Sequence, residues 1–445
     1  MVMRHSWTQL CGNHMHLKLA STTSALAHIK REAALPSRLA SALCGLTMVL
    51  VVPTASAMGL TEIFALAVDN DSTYLSAISN NRAAQEFVPQ AESALRPLVS
   101  MSSNISGVRR QNTKRALAVT PRRDAFFRGD LTLEISQPIF RKELNIQIRQ
   151  ADHRTQQANA DFAFSLQDLI VRVAERYFSV LAAVDSLEFA QSERDAISQQ
   201  LTQSQQRFEV GLIAVTDVEE ARAGFDLAVA RVIEAENELD GTFEALREIA
   251  GRYIRALDPL GDSVPLVVPE PNNIDAWTET ALEQNWQLEA TRLVVATARD
   301  EIRRQETGHL PTLDLVGSSA FSVVRGGGSS TNDRWDNTVG LRLSVPIYQG
   351  GLVLSRTRES QHRHQGALED HERQRRATQR LTRDAFRGVL SGISRVKALE
   401  QAVRSAESAL EAIEAGFQVG TRTSVDVLNA QRELFGASRD FSRAR

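Results

Sequence analysis

Apolar residues recur at spacings of three and four along two long stretches of the chain. Phe162, Leu166, Leu169, Val173, Tyr177, Val180, Val184 and Leu187 mark the first stretch. Phe386, Val389, Ile393, Val396, Leu399, Val403, Ala406, Leu410, Ile413 and Phe417 mark the second. This period is the apolar seam of helices packed in coiled-coil fashion. The prolines agree with it: of twelve, none falls between Pro138 and Pro259 and none after Pro346. A proline inside a helix costs about 3 kcal/mol, so proline-free tracts of this length suit very long helices. The stretch from Arg141 to Val210 would reach roughly 105 Å as one helix, whereas ordinary globular helices run to about 10–14 residues. An element of that reach is crossing something.

Shorter stretches follow a period of two. Leu131, Leu133 and Ile135 alternate with Thr132, Glu134 and Ser136; Val339, Leu341, Leu343 and Val345 alternate with Gly340, Arg342 and Ser344; Leu313 and Leu315 alternate with Thr312 and Asp314. A further strand near Leu98 to Val108 has less contrast. Pro97 and Pro311 open these stretches, and Pro138 and Pro346 close them. Polar or glycine-rich loops, QNTKRALAVTPRRD and RGGGSSTND, separate the pairs, and Phe126, Phe127, Phe140, Phe321, Trp335 and Tyr348 sit at strand ends. Apolar-out, polar-in alternation with aromatic girdles is the pattern of an outer-membrane barrel. Periodicity alone would equally describe a small soluble sheet with one wet face. A sheet in lipid must leave no open edge, and four strands cannot close, because the smallest barrels have about eight. Several chains must therefore share one barrel, and three would supply about twelve strands.

The same plan occurs twice. LTLEISQPIF (131–140) matches VGLRLSVPIY (339–348), and RFEVGLIAVTDVEEA (207–221) matches GFQVGTRTSVDVLNA (416–430). The second alignment pairs Phe208 with Phe417, Gly211 with Gly420 and Asp217 with Asp426. The expected organisation is a presequence at 1–57 and a first repeat at 58–253. That repeat has a helix, two strands at about 96–140, a long helix at 141–210, a tip turn at 211–217 and a return helix. A proline-crowded linker at 254–275 leads to the second repeat at 276–445. Its strands are expected at about 311–347, its long helix at 351–417 and its tip turn at 418–424. Its return helix stops at Arg445 still in helical pattern and reads as cut short. At the tips, Gly211 and Gly420 suit a left-handed helix end. Thr216 with Glu219 fits a capping box, and Asp217 and Asp426 favour helix N-termini.

Composition narrows the function classes. The net charge is −3, so no basic field points to nucleic acid. Lys30, Arg31 and Arg38 precede the apolar run Leu39–Val52 and an A-x-A pattern ending at Ala57, which together read as an export signal. Both cysteines, Cys11 and Cys44, lie in that presequence, so the mature chain has no disulfide framework or cysteine metal site. Leu43 is too bulky for a lipid-attachment box before Cys44. No later apolar run reaches the ~18 residues of a membrane helix, which leaves a barrel as the only route into a membrane. His362 and His364 lie two apart on a helix and face different sides, and GGG at 326–328 precedes no helix, so neither a metal nor a phosphate site is expected. Charged tracts such as HERQRRATQR (371–380) read as solvated helix surface. No catalytic arrangement stands out, so no enzyme and no cofactor is expected.

The junctions GHLPTLDL (308–315) and SVPIYQGG (344–351), with the tips RFEVGLIAVTDVEEARAGFD and EAGFQVGTRTSVDVL, resemble the TolC-like outer-membrane channels of tripartite efflux and type I secretion. The similarity runs from about residue 60 to the end and is looser near 96–128. It implies mainly α structure with membrane β. In that architecture a homotrimeric twelve-stranded barrel in outer-membrane lipid is continued by an α-helical tunnel through the periplasm. It further implies no enzymatic activity, and docking onto a periplasmic adaptor coupled to an inner-membrane pump, with drugs or unfolded proteins passing outward. By the same resemblance, Thr216, Asp217, Phe417 and Arg422 form the periplasmic gate. Phe417 stands where the family has a tyrosine whose hydroxyl bonds the aspartate. Asp426 and Asn429 line the constriction, Asn429 replacing a second aspartate. Gly211, Leu212, Val215, Gly420, Thr421 and Ser424 belong to the adaptor-docking turns. The rival expectation is a periplasmic coiled-coil scaffold or adaptor without a pore. Adaptors usually carry one hairpin, and the two matching strand pairs argue against that.

Overall fold

The computed structural model describes residues 57–111, 123–261, 264–326 and 332–445. The expected export signal up to residue 56 lies outside the described residues, as do most of the two loops between paired strands. The chain begins with three short helices, α1 (Leu60–Asn70), α2 (Ser72–Gln85) and α3 (Phe87–Ser93). Strands β1 (Leu98–Gln111) and β2 (Arg123–Phe140) follow, then the long helix α4 (Lys142–Glu209) and its return α5 (Val215–Ala250). The second half repeats this with α6 (Ile274–Gln284), α7 (Trp286–Glu306), β3 (Thr312–Arg325), β4 (Asn332–Ser344), α8 (Leu352–Gln418) and α9 (Ser424–Ala444). The single helix expected ahead of each strand pair is thus broken into pieces. Asp71 caps α2 by accepting from Tyr74 N–H at 2.7 Å, and Asn285 caps α7 by accepting from Leu288 N–H at 2.9 Å.

The four strands form one antiparallel sheet in sequence order. Its registers carry the duplication. Moving Pro97 onto Pro311 and Pro138 onto Pro346 takes the pair Leu98↔Ser136 onto Thr312↔Ser344, and Ser102↔Thr132 onto Val316↔Gly340, as observed. Pro138 does not end β2. The strand runs on to Phe140 through a register shift between the two residues, where the ladder has no need of the N–H that proline lacks. One face holds Met101, Ile105, Leu131, Leu133, Ile135, Leu315, Leu341 and Leu343, and the other holds Ser102, Thr132, Glu134, Ser318 and Arg342. On the inner strands Leu131, Leu133, Ile135 and Leu315 are 41–42% exposed. At the edges Met101, Ile105, Val339, Leu341 and Leu343 are 65–82% exposed. Among the described residues no helix is long and apolar enough to cross a membrane.

The largest apolar core gathers α1 and α2 onto α4 and α5, with Ile63, Leu169, Val173, Val180, Leu246 and Ile249 buried and Phe162 and Leu166 packed beside them. Fully burying such side chains stabilises by about 1.5–3 kcal/mol each. Tyr177 extends this core to the linker, its hydroxyl donating to Asp258 O at 2.8 Å. Val184 departs from the expected seam at 39% exposure, while Ala183 and Ser186 are buried. A straight helix drifts about 20° per heptad, so a strict spacing loses the buried face after several turns. The seam expected on α8 is the less exposed face of that helix but a shallow one: Val396 is buried, Val389 is 44% exposed and the other seam residues are half-buried, because this chain supplies partners along only part of the helix.

Buried ion pairs tie the layers together. Arg172 grips Asp71 at 2.9 Å, and Asp300 is approached by Arg149, His153 and Arg303. Where the sheet meets the helices, Arg141 binds the buried Asp314 in a fork, Nε to Oδ1 at 2.8 Å and Nη2 to Oδ2 at 2.6 Å. A planar guanidinium matches a carboxylate in this geometry, so the pair fixes direction as well as distance.

Candidate gate at the hairpin tips

Both long helices end in the same way. Gly211 N–H donates to Phe208 O at 2.9 Å and Leu212 N–H to Arg207 O at 2.9 Å; Gly420 N–H donates to Phe417 O at 3.1 Å and Thr421 N–H to Gly416 O at 2.9 Å. These are Schellman bonds, and Gly211 and Gly420 both take φ of 78°, the left-handed conformation that the motif requires. The turns are shorter than expected, because α5 already starts at Val215.

The expected capping box of Thr216 with Glu219 does not form. Ala214 is the N-cap, which makes Thr216 the second helical residue and places Asp217 third. Asp217 reaches back to accept from Ala214 N–H at 3.3 Å, but the alanine side chain has no oxygen to complete the box, and Asp217 N–H donates to the Ala214 carbonyl at 3.2 Å instead. In the second hairpin the box is whole. Thr423 N–H donates to Asp426 Oδ2 at 2.9 Å, and Asp426 N–H donates to Thr423 Oγ1 at 3.2 Å. The Thr423 backbone N–H, then its hydroxyl, with the charge of Arg422 adding to them, hold the Asp426 carboxyl below its usual range.

The structure brings some of the expected site residues together and leaves others apart. Asp426 and Asn429 line one cleft beside α8, and Asn429 Oδ1 accepts from Arg432 Nη1 at 3.4 Å. Arg422 and Asp217 are not joined within the chain. The stem of Arg422 lies instead against Gly416, where a Cβ would come within 2.8 Å of its Cγ. Val210, Leu212, Val215 and Val419 project as apolar side chains at 53–76% exposure. Ser424, expected on the docking turn, is buried at 4%, because as the first residue of α9 it is turned inward.

Phe417 has a partner that the sequence did not suggest. The guanidinium carbon of Arg207 stands 4.3 Å from the centroid of its ring. The two side chains sit at the mouth of a cleft of ≈ 840 Å3 formed by α4, α8 and α9 and lined by Gln200, Gln203, Val427 and Gln431 among others. Deeper in, Leu428 inserts among Ile197, Ala221 and Ala228 and joins the second hairpin to the first. Arg207, Gly416, Thr423 and Leu428 were thus missed. The available signal was the pairing of Arg207 with Gly416 in the repeat alignment, a place where two otherwise similar tips differ. Among the described residues no cluster of three or more His, Cys, Asp or Glu is placed to hold a metal ion.

A family model described as outer membrane efflux protein matches residues 65–252 and 277–445. The chain is 37% identical over 398 residues to the outer membrane protein TolC of Vibrio cholerae, covering 87% of each. It is 41% identical over 290 residues to TolC of Escherichia coli, a match spanning 63% of this chain and 58% of that protein. It is 30% identical to the alkaline protease secretion protein AprF of Pseudomonas aeruginosa over 92% of this chain and 85% of that one. Among solved structures, CusC superposes with a TM-score of 0.72 at 17% identity, covering 86% of this chain and 88% of that one. VceC of Vibrio cholerae gives 0.70 at 18%, covering 86% and 92%.

Proposed function

The chain belongs to the outer membrane efflux protein family, whose members are exit ducts of efflux or type I secretion in the outer membrane, and from that premise we propose that three copies close a single barrel. The observation that carries this is the sheet itself. Strands β1 and β4 are open edges, and Met101, Ile105, Val339, Leu341 and Leu343 on them are more exposed than Leu131, Leu133, Ile135 and Leu315 on the same face of β2 and β3. Open edges cannot persist in lipid, where every backbone polar group needs a partner. Copies joined edge to edge satisfy both strands at once, and three give a ring of about twelve. The long helices α4 and α8 then form the periplasmic tunnel, and α8 gains from neighbouring copies the contacts it lacks in one chain.

At the periplasmic end, Thr216, Asp217, Phe417 and Arg422 form the gate, with Asp426 and Asn429 at the constriction. Arg422 reaches Asp217 of a neighbouring copy rather than its own. The apolar tips at Val210, Leu212, Val215 and Val419 suit contact with a periplasmic adaptor, and through it an inner-membrane pump, since a turn meant only for water has no use for them. The test is fractionation followed by planar-bilayer recording. The protein should sediment with outer membranes, migrate as a trimer before boiling and give discrete conductance steps. A protein that stays monomeric in the periplasm and conducts nothing is a scaffold, and the proposal fails.

A further inference from the structure

We infer that Arg207 and Phe417 form an aromatic latch between the two hairpins of each chain, and that this latch holds the resting mouth shut. The inference rests on the channel reading above and adds a residue to its gate. The 4.3 Å separation of the Arg207 guanidinium carbon from the ring centroid is well within the ~6 Å over which the quadrupole of an aromatic face attracts a cation. Both residues occupy the last turn of their helices, Arg207 in α4 and Phe417 in α8. A cation at a helix C-terminus is further favoured by the helix dipole. Among the described residues no hydrogen bond or ion pair joins α4 to α8, so this contact is their one polar tie.

Behind the latch, the Gln200 Nε2, Ser204 Oγ and Gln431 Oε1 atoms are buried without a hydrogen-bond partner among the described residues. Gln200 and Gln431 are 5% and 8% exposed, and both line the cleft that the latch closes. Two contacts hold the hairpins together beside these groups: Leu428 among Ile197, Ala221 and Ala228, and the Arg207–Phe417 pair. The absent tyrosine hydroxyl at Phe417 then matters less than it did in the sequence, because the contact uses the face of the ring.

The experiment is resting conductance of the full-length protein in planar bilayers. Arg207→Met and Phe417→Leu should each raise the resting open probability at least about tenfold, since three contacts worth ~2–5-fold each act together. The double variant should open no further than either single one, as expected for partners in a single interaction. Phe417→Tyr should stay closed, and Arg207→Lys should keep part of the effect. Trimer migration before boiling should be unchanged in all of them, which separates a latch from general unfolding. If Arg207→Met rests as tightly closed as the parent, or if the two substitutions multiply in the double variant, the latch is refuted while the channel stands. If neither the parent nor any variant conducts, the channel reading itself falls.

Discussion

Ala214 and Thr423 occupy the same place in the two hairpins and differ by one hydroxyl that the helix start can use. Ala214→Thr should complete the first box and stabilise that tip by about 0.5–2 kcal/mol. Slower amide exchange at Asp217 would report it, and unchanged exchange would mean that the turn cannot accept the cap. At the proposed constriction, each trimer would carry three Asp426 carboxylates, and Asn429 contributes none. Asn429→Asp should strengthen block by multivalent cations, because attraction scales with charge; titrating block in bilayers checks it. Arg422→Ser should raise resting conductance, by removing the cation that the proposed gate offers to Asp217 of the next copy. The aspartates were legible as helix-start residues because they recur in both repeats. The Arg207–Phe417 contact was not, since it joins residues far apart in sequence and its partners are not repeat equivalents.

Among the elements, the long helices could be read with little ambiguity. Proline exclusion and apolar spacing marked α4 and α8 as long helices, and the expected bounds of 141–210 and 351–417 lie within one residue of the observed ends. The strands were also legible from alternation, but the passage of β2 through Pro138 was not, because a bulge is decided by the neighbouring strand. Ion pairs between elements were equally hidden. One of them makes a pH prediction. Burial alone would raise the Glu301 carboxyl on α7, yet bonds from Arg304, Gln150 on α4 and Gln305 bring it from 4.5 down to about 2. A folded value below the unfolded one contributes stability that is fully present above pH 4.5 and lost as the pH falls towards 2. The unfolding temperature should therefore drop across that window, and Glu301→Gln should flatten the drop. A variant with the parent's acid profile would show that other carboxylates control it.

At the scale of the whole molecule, the need for several copies could be argued from strand number before any coordinates, while the uneven exposure of edge and inner strands only the structure could supply. The proposed ring places β4 of one copy beside β1 of the next. With Cys11→Ser and Cys44→Ser as background, Ser103→Cys combined in turn with Val339→Cys, Leu341→Cys or Leu343→Cys should give one pairing that oxidises to covalent dimers and trimers. These positions share a face, and only directly opposed side chains come within disulfide reach. If all three pairings stay monomeric while a Leu133→Cys, Ser319→Cys control within the sheet closes, the edges do not meet. The open edges also bear on inheritance. In the proposed trimer no copy is finished alone, so a chain that pairs normally but cannot gate spoils every ring it joins. Expressed in equal amounts with the parent, such a variant would leave about one-eighth of rings wholly sound rather than one-half. Faulty alleles that still assemble should therefore be dominant, and those that cannot pair at their edges recessive.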